Sequence, residues 1–407
     1  MQYLGFNKNK SIPNLIVIII TFVVLNSSLS ISFPIGDLYF IILLGMFFLI
    51  FIYILNEKKK INLSMVLLLI ACLTSILIND VPIYFRAYTR FLLFAAIIFI
   101  VGPLVLTSNF KKFRFKIFNL MNKLNIIICL LSFLGLVTGI YRGITLTEYG
   151  TKRVDFTGLF NHSMTLGPMA GIAILTSFYY FKKEQNKKKQ LYLIVVMFLL
   201  FLTVITSGSR GALVATILGS LYYLYSINRG KLKRYFRIVL LIIFVITATF
   251  PLWKERADFL MSKMNRDEGN DLYDSRTVKW EQRLYEFKSS PVFGIGFASI
   301  NPHMKDEFME STGAVEPGSS WLGILSMTGL FGFIPMIFLF LRDLYYLYKF
   351  NKIYSGYLGG LLILVSVHMI VEGYIFAAGA FLFFYVWLLL GVIEGFIEVE
   401  KSNRKMI

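Results

Sequence analysis

The sequence predicts an all-α integral membrane protein of about twelve transmembrane helices, with both termini cytoplasmic and one long extracytoplasmic segment between the ninth and tenth helices. Three observations carry this expectation. The 407-residue chain is 57% hydrophobic and 16% aromatic, with mean hydropathy +0.69, whereas a soluble domain is roughly 45–50% apolar. The excess is gathered in runs of roughly 15–22 residues, close to the ~20 that cross a bilayer. Finally, the basic residues are concentrated in alternate connections between those runs.

Taken in order, the apolar runs predict helices near 12–31, 38–55, 63–78, 91–106, 117–140, 164–181, 191–206, 212–227, 236–253, 320–341, 356–375 and 377–396. The first run follows Lys8 and Lys10 and precedes a small-residue patch, Ser27–Ser30, as a cleaved signal peptide would. It continues through Ile31 with many spans behind it, which favours an uncleaved first helix. The connections holding Lys58–Lys60, Lys111–Lys116, Lys182–Lys189, Arg229–Arg237 and Arg342–Lys352, with the two ends, carry more than half of the 41 basic residues. Positive charge in short loops marks the cytoplasmic side, so both termini are expected inside and the 254–319 segment outside. The whole chain, 1–407, reads as one polytopic membrane domain, with 254–319 as an extracytoplasmic loop holding short helices at 261–274 and 278–288.

The same distribution excludes other classes. A net charge of +18 would suggest nucleic acid in a soluble protein, but loop cations that set topology explain it without a nucleic-acid partner. The two cysteines, Cys72 and Cys129, lie inside apolar runs and read as small core residues. With three histidines in the chain, no His/Cys metal cluster is expected, and no cofactor.

Residues that break the topology pattern are the informative ones. Arg86, Arg90, Arg142, Lys152, Arg153 and Arg210 fall in short outer connections, where cations are disfavoured; interfacial snorkelling is the competing explanation. Arg210 stands apart. It lies in Thr206-Ser207-Gly208-Ser209-Arg210-Gly211-Ala212, a turn too short to be a solvated loop. A helix starts there, so a guanidinium sits beside backbone N–H groups and the positive end of a helix dipole, which suits an anion; a structural cap on a helical hairpin is the alternative. In the outer segment Arg276 and Arg283 are seven residues apart, two helical turns on one face, as in an anion site or equally in a solvated amphipathic helix. His162 stands at the outer start of a span, and His303 and Glu316 lie in the outer segment. His368 and Glu372 are one turn apart near the outer end of a span, where ionisable residues are functional by default unless they satisfy each other. Arginines with apolar and aromatic neighbours suit a lipid-linked phosphate or diphosphate carrying sugar.

Three stretches together resemble the O-antigen ligase/polymerase superfamily, which holds Wzy-type repeat-unit polymerases and related ligases. They are Gly158-Leu159-Phe160-Asn161-His162-Ser163 with Leu166-Gly167; Ser209-Arg210-Gly211-Ala212; and Arg276, Trp280, Arg283 with Pro291-Val292-Phe293-Gly294-Ile295-Gly296, followed by Ser319-Ser320-Trp321-Leu322 and Thr328-Gly329-Leu330-Phe331-Gly332. The resemblance implies a GT-C-like, metal-independent, inverting glycosyltransferase of the bacterial inner (plasma) membrane, active on its periplasmic or extracellular face. Undecaprenyl-diphosphate-linked oligosaccharide would be donor and acceptor, with membrane lipid and a chain-length regulator as further partners. By motif match Arg210, Arg276 and Arg283 would hold the diphosphate, with Ser209, Arg142, Arg153, His368 and Glu372 in support. Ligases of this superfamily often carry a His-Asn pair before the leucine of the last motif; here the positions read Gly318-Ser319-Ser320. That departure favours polymerase over ligase and leaves Glu316, His162 and His303 as candidate bases. The expected function is polymerisation of lipid-linked repeat units into a surface polysaccharide, O-antigen or capsule. The alternatives are a ligase that moves glycan to another acceptor, and a flippase for the lipid-linked sugar.

Overall fold

The computed structural model describes residues 12–30, 32–36, 38–139, 142–148, 151–265, 275–300, 315 and 318–405; within these, side chains are described except at 142–148, 151–155, 252–253, 255–265, 275–276 and 405. The architecture is helical. In chain order the helices are α1 (Asn14–Asn26), α2 (Leu38–Ile54), α3 (Leu63–Ile78), α4 (Ala87–Ile100), α5 (Ser108–Val137), α6 (Ser163–Lys183), α7 (Lys187–Thr206), α8 (Arg210–Ile227), α9 (Leu232–Asn265), α10 (Ser275–Ser289), α11 (Ser320–Phe350), α12 (Ile353–Val371) and α13 (Phe381–Lys405). Among the described residues, eight helical segments are long and apolar enough to cross a bilayer: α5, α6, α7, α11, α12, most of α9 and α13, and the segment Ile83–Ile100 that contains α4. Three more, α1, α2 and α3, are apolar but shorter, at 13, 17 and 16 residues. At 1.5 Å per residue they reach about 20–25 Å, short of a ~30 Å hydrocarbon layer. Shortness thus accounts for three of the four predicted spans missing from the eight; the fourth, α8, has 18 residues and is not among the segments apolar enough to cross.

Local sequence sets where helices start. Asn62, Thr107, Asn186, Ser209 and Ser319 each accept a hydrogen bond from a backbone N–H of the first turn that follows, satisfying donors the helix cannot. Two boundaries differ from expectation. The span expected at 91–106 ends at Ile100, because residues 105–106 pair as strand β2 (Val105–Leu106) with β1 (Lys60–Ile61). The ninth helix does not stop near 253 but runs to Asn265, so a helix in the expected 261–274 stretch is its continuation as far as that residue. The helix expected at 278–288 is α10.

A second feature departs from the expectation of an all-α chain. Residues 142–148 and 151–158 pair as antiparallel strands, β3 (Arg142–Glu148) with β4 (Thr151–Gly158), in register Glu148↔Thr151. The signal was present: Ile144, Thr145, Thr147, Thr151, Val154, Phe156 and Thr157 are strand-favouring residues across a two-residue connection. The reading by apolar runs passed over it because the stretch is too polar for a span.

The bundle is built on close helix contacts at small residues. A Cβ on Gly219 of α8 would lie 2.6 Å from the Gly360 carbonyl oxygen of α12, and one on Gly356 would lie 2.5 Å from Ser226 Oγ. In a membrane, where lipid competes for apolar contact, such backbone approach supplies the packing energy. Gly171 of α6 meets Thr216 of α8 in the same way. At the bundle end where α5 and α12 begin and α11 and α13 finish, ion pairs join the elements: Lys111–Glu398 at 3.1 Å, Lys352–Glu400, and Arg342 with both Asp343 and Glu394. Arg114, grouped by sequence with the loop cations, is instead fully buried. Its guanidinium donates to the carbonyls of Phe99, Ile100 and Val105, so it ties down the end of α4.

Candidate functional site

The opposite end of the bundle gathers the starts of α6, α8 and α11 with the end of α12, and it collects the three motif stretches. Ser209 caps α8 and accepts from Ala212 N–H at 3.3 Å, while Gly208 turns the chain at φ 66°. The turn is pressed against two neighbours. A Cβ on Gly167 of α6 would lie 2.9 Å from Ser207 Oγ and from Ala212 Cβ, and one on Gly211 would lie 2.3 Å from Val371 Cγ2. Glycine at 167 and 211 is therefore what lets the first turn of α6, the α7–α8 turn and the last turn of α12 share one place. Arg210, the first residue of α8, is exposed there. Ser209 serves as the cap, so its hydroxyl is already a backbone acceptor.

His162 is positioned by lacing between α1 and the segment before α6. Ser30 N–H donates to the Leu159 carbonyl, and Asn161 N–H to that of Ser28, each at 2.9 Å. His162 caps α6, its Nδ1 accepting from Met164 N–H at 3.0 Å. That hydrogen bond assigns the neutral ring's proton to Nε2, so the lone pair a general base needs is engaged.

Glu372 is half-buried at the end of α12, where Ser320 organises the chain. Ser320 N–H and Oγ both donate to the Glu372 carbonyl, at 2.9 and 2.6 Å, and Oγ accepts from the N–H groups of Tyr374 and Ile375 at 3.0 and 3.3 Å. Ser319 caps α11 and also donates to the Met369 carbonyl at 3.3 Å. Both serines of the Gly318-Ser319-Ser320 stretch, where related ligases often have a His-Asn pair, are thus committed to backbone. His368 is fully buried, with Nδ1 3.3 Å from Tyr374 Oη, so it lies inside the bundle and its ring stacks on Tyr374.

Glu372 lines a cavity of about 170 Å³ together with Ser27, Ser28, Asn161, Thr165 and Tyr374. A larger cavity, about 560 Å³, lies beyond the 373–378 segment; it is lined by Arg86, Thr89 and Arg90 from the start of α4, by Phe40, and by Met327 and Phe376. Gly373 borders both. Arg86 and Arg90, which the sequence marked only as exceptions to the charge pattern, therefore line a cavity. The signal that could have advanced them was their spacing of four residues, one helical turn, at the head of an apolar run.

The third motif is assembled by a kink. Gly329 in α11 has φ 61° and ψ −163°, open to glycine alone, and the break frees backbone groups that the 291–296 loop takes up. Leu330 N–H donates to the Pro291 carbonyl at 2.9 Å, Phe331 N–H to that of Val292 at 3.1 Å, and Ile295 N–H to that of Ser326 at 2.9 Å. This loop follows α10, whose Trp280 Nε1 donates to the Gly318 carbonyl at 3.3 Å. Arg283 of α10 is buried at 3% exposure and paired with Glu286 at 2.8 Å. Burial lowers its pKa from the ordinary arginine value, with Glu286 acting in the opposite direction. Its Nη1 is buried with no hydrogen-bond partner among the described residues, a donor for which an anion oxygen is the natural complement. Because Glu286 already neutralises it, Arg283 offers a donor more than a net charge.

Of the other expected site residues, Arg142 and Arg153 lie in β3 and β4 and Arg276 in α10, with side chains outside the described residues; His303 and Glu316 lie outside the described residues altogether. Among the described residues no group of three or more His, Cys, Asp or Glu is placed to hold a metal ion.

This helical bundle with its motif-bearing end is that of a multi-pass membrane protein. Residues 195–337, about a third of the chain, match the family described as O-antigen ligase, a similarity that supports the O-antigen ligase/polymerase superfamily. The matched stretch runs from within α7 to the first half of α11, and so holds Arg210, Arg276, Arg283 and the Gly329 kink. No curated protein matches the chain.

Proposed function

We propose that the protein is a glycosyltransferase that joins polyprenyl-diphosphate-linked oligosaccharide repeat units into a surface polysaccharide, working at the extracytoplasmic face of a bacterial plasma membrane with about twelve spans and both termini inside. The observation that carries this reading is the meeting, at one end of the bundle, of the Arg210 turn with the last turn of α12, where Glu372 lines a cavity of mixed polar and apolar walls. Arg210, with Arg276 and Arg283 of α10, holds the diphosphate of the donor. An acceptor sugar hydroxyl attacks the anomeric carbon, the bond from that carbon to the diphosphate oxygen breaks, and its electron pair leaves on the diphosphate. Fixed donors at the developing charge stabilise this step without a metal. Glu372 accepts the hydroxyl proton; assistance of this kind contributes about 10²–10⁴-fold.

Polymerase is preferred to ligase because Gly318-Ser319-Ser320 stands in place of the ligase His-Asn pair, and its two serines are engaged with backbone. The test is incubation of the purified protein with a polyprenyl-diphosphate-linked repeat unit and a chelator, the products being resolved by size. A ladder rising by one repeat unit per rung is expected. Arg210→Ala is expected to abolish it without loss of protein, and Glu372→Gln to slow it at least a hundredfold with little change in donor binding. Transfer seen only when a separate acceptor is added would make the protein a ligase, and full activity of Arg210→Ala would overturn the diphosphate assignment.

A further inference from the structure

The larger cavity is not lined by Arg210, Arg283 or Glu372. It lies across the 373–378 segment from Glu372, between α2, α4 and α11, and two guanidiniums line it. Arg86 and Arg90 are four residues apart, and Arg86 is held with φ 49° and ψ 44°, a left-handed conformation that costs a non-glycine residue of order 1–3 kcal/mol and clusters at ligand clamps. Two like charges one turn apart oppose each other. The remaining described lining residues are apolar, glycine or threonine, with Phe40, Leu93 and Phe376 among them. A cavity of about 560 Å³ is within the range of small-ligand sites. Paired guanidiniums beside apolar walls, within an apolar helix fit to cross a membrane, complement a molecule that is a phosphate or diphosphate at one end and hydrocarbon at the other.

We propose that this cavity is a second lipid-phosphate site, in which Arg86 and Arg90 hold the phosphate or diphosphate of the acceptor's polyprenyl carrier. The proposal rests on the polymerase reading, in which both substrates are lipid-linked: one diphosphate leaves and the other stays attached. A ligase with a non-lipid acceptor needs one such site; joining two lipid-linked units needs two. Gly373 borders both cavities, so an acceptor anchored at Arg86 and Arg90 presents its sugar to Glu372 past that residue.

The test counts bound lipid. The full chain in nanodiscs is titrated with a polyprenyl diphosphate carrying no sugar, and native mass spectrometry reads the stoichiometry. Wild type is expected to bind two, and Arg86→Ala/Arg90→Ala one, the second affinity falling at least tenfold. Arg86→Lys/Arg90→Lys should keep two. Arg210→Ala should also bind one, and adding the α4 pair to it should leave none. Should the alanine pair fail to fold, Leu93→Trp, which fills the cavity and retains both charges, is expected to lose the second lipid. Two lipids bound by the alanine pair would overturn the proposal. So would displacement by inorganic diphosphate at the same concentration, which makes it a free-phosphate site, or by phosphatidylglycerol, which makes it a general anionic-lipid site. Two lipids bound with no polymer ladder would uphold the site and reject the polymerase reading; one lipid bound with a ladder would do the reverse.

Discussion

Arg283 and Glu286 show how much a single buried pair decides. Both side chains are almost wholly out of contact with solvent, at 3% and 0% exposure. Removing one partner of such a pair strands a charge in a low-dielectric interior, at a cost of about 3–5 kcal/mol. Arg283→Ala is therefore expected to lower the thermal midpoint of the detergent-solubilised protein substantially. Arg283→Ala with Glu286→Gln should recover much of the loss, because the stranded charge is gone. If activity stays low after that recovery, the donor Nη1 matters for substrate and not only for folding; recovery of both would confine Arg283 to a structural role. The chemistry of these residues was partly legible. Arg210 announced itself by standing in a turn too tight for a solvated loop, and Arg283 by its spacing from Arg276. Glu286 went unnoticed, since a carboxylate three residues along a polar helix looks like ordinary surface until burial is known.

Elements carry the next layer of information. The α7–α8 turn was readable because Gly208, Ser209 and Gly211 have local reasons to be where they are: a positive φ, a cap and a close approach. The pairing of the 291–296 loop with the α11 kink was not readable. Gly294 and Gly329 are 35 residues apart in sequence, yet a Cβ on Gly329 would lie 2.3 Å from the Val292 carbonyl oxygen, and one on Gly294 would lie 2.5 Å from that of Met327. Gly329→Ala combines this overlap with a positive φ and is expected to destabilise by more than the ~1–3 kcal/mol of the backbone conformation alone. The expected result is a lower yield of monodisperse protein and a lowered melting temperature, whereas Gly139→Ala, also at positive φ but with no heavy atom within 4 Å of its Cβ, should show the smaller loss of the backbone conformation alone. Equal effects at both sites would remove the loop–kink contact as the cause. The strand pair at 142–148 and 151–158 was legible in principle by its alternation and was hidden by the stronger expectation of helices on either side.

For the whole molecule, the leading question is orientation, and charge alone argues it. The Lys182–Lys189 and Arg229–Arg237 connections are rich in cations, and they lie at the bundle end away from the Arg210 turn. The positive-inside tendency then predicts that Arg210, Glu372 and the two cavities face outside. Single cysteines introduced at Lys187 and at Lys279, in a background with Cys72 and Cys129 replaced, test this in intact cells. A membrane-impermeant maleimide should label Lys279→Cys directly and Lys187→Cys only after permeabilisation. The reverse pattern would turn the protein over and place the chemistry in the cytoplasm.

What the sequence by itself determined is whatever follows from composition, period and local backbone chemistry. That comprises a helical membrane protein, the positions of its apolar runs, the Arg210 turn, and the superfamily to which residues 195–337 point. What only the tertiary structure decided is which of those features meet. Glu372 lines a cavity, His162 has its Nδ1 lone pair engaged as a cap, Ser319 and Ser320 are tied to the end of α12, and Arg86 and Arg90 share a second cavity. The division has a physical cause. Helix formation and membrane partition are set by residues within about one span of each other. A site is made by carbonyls, glycines and charges brought together across hundreds of residues, where contact depends on how helices pack and not on what each contains.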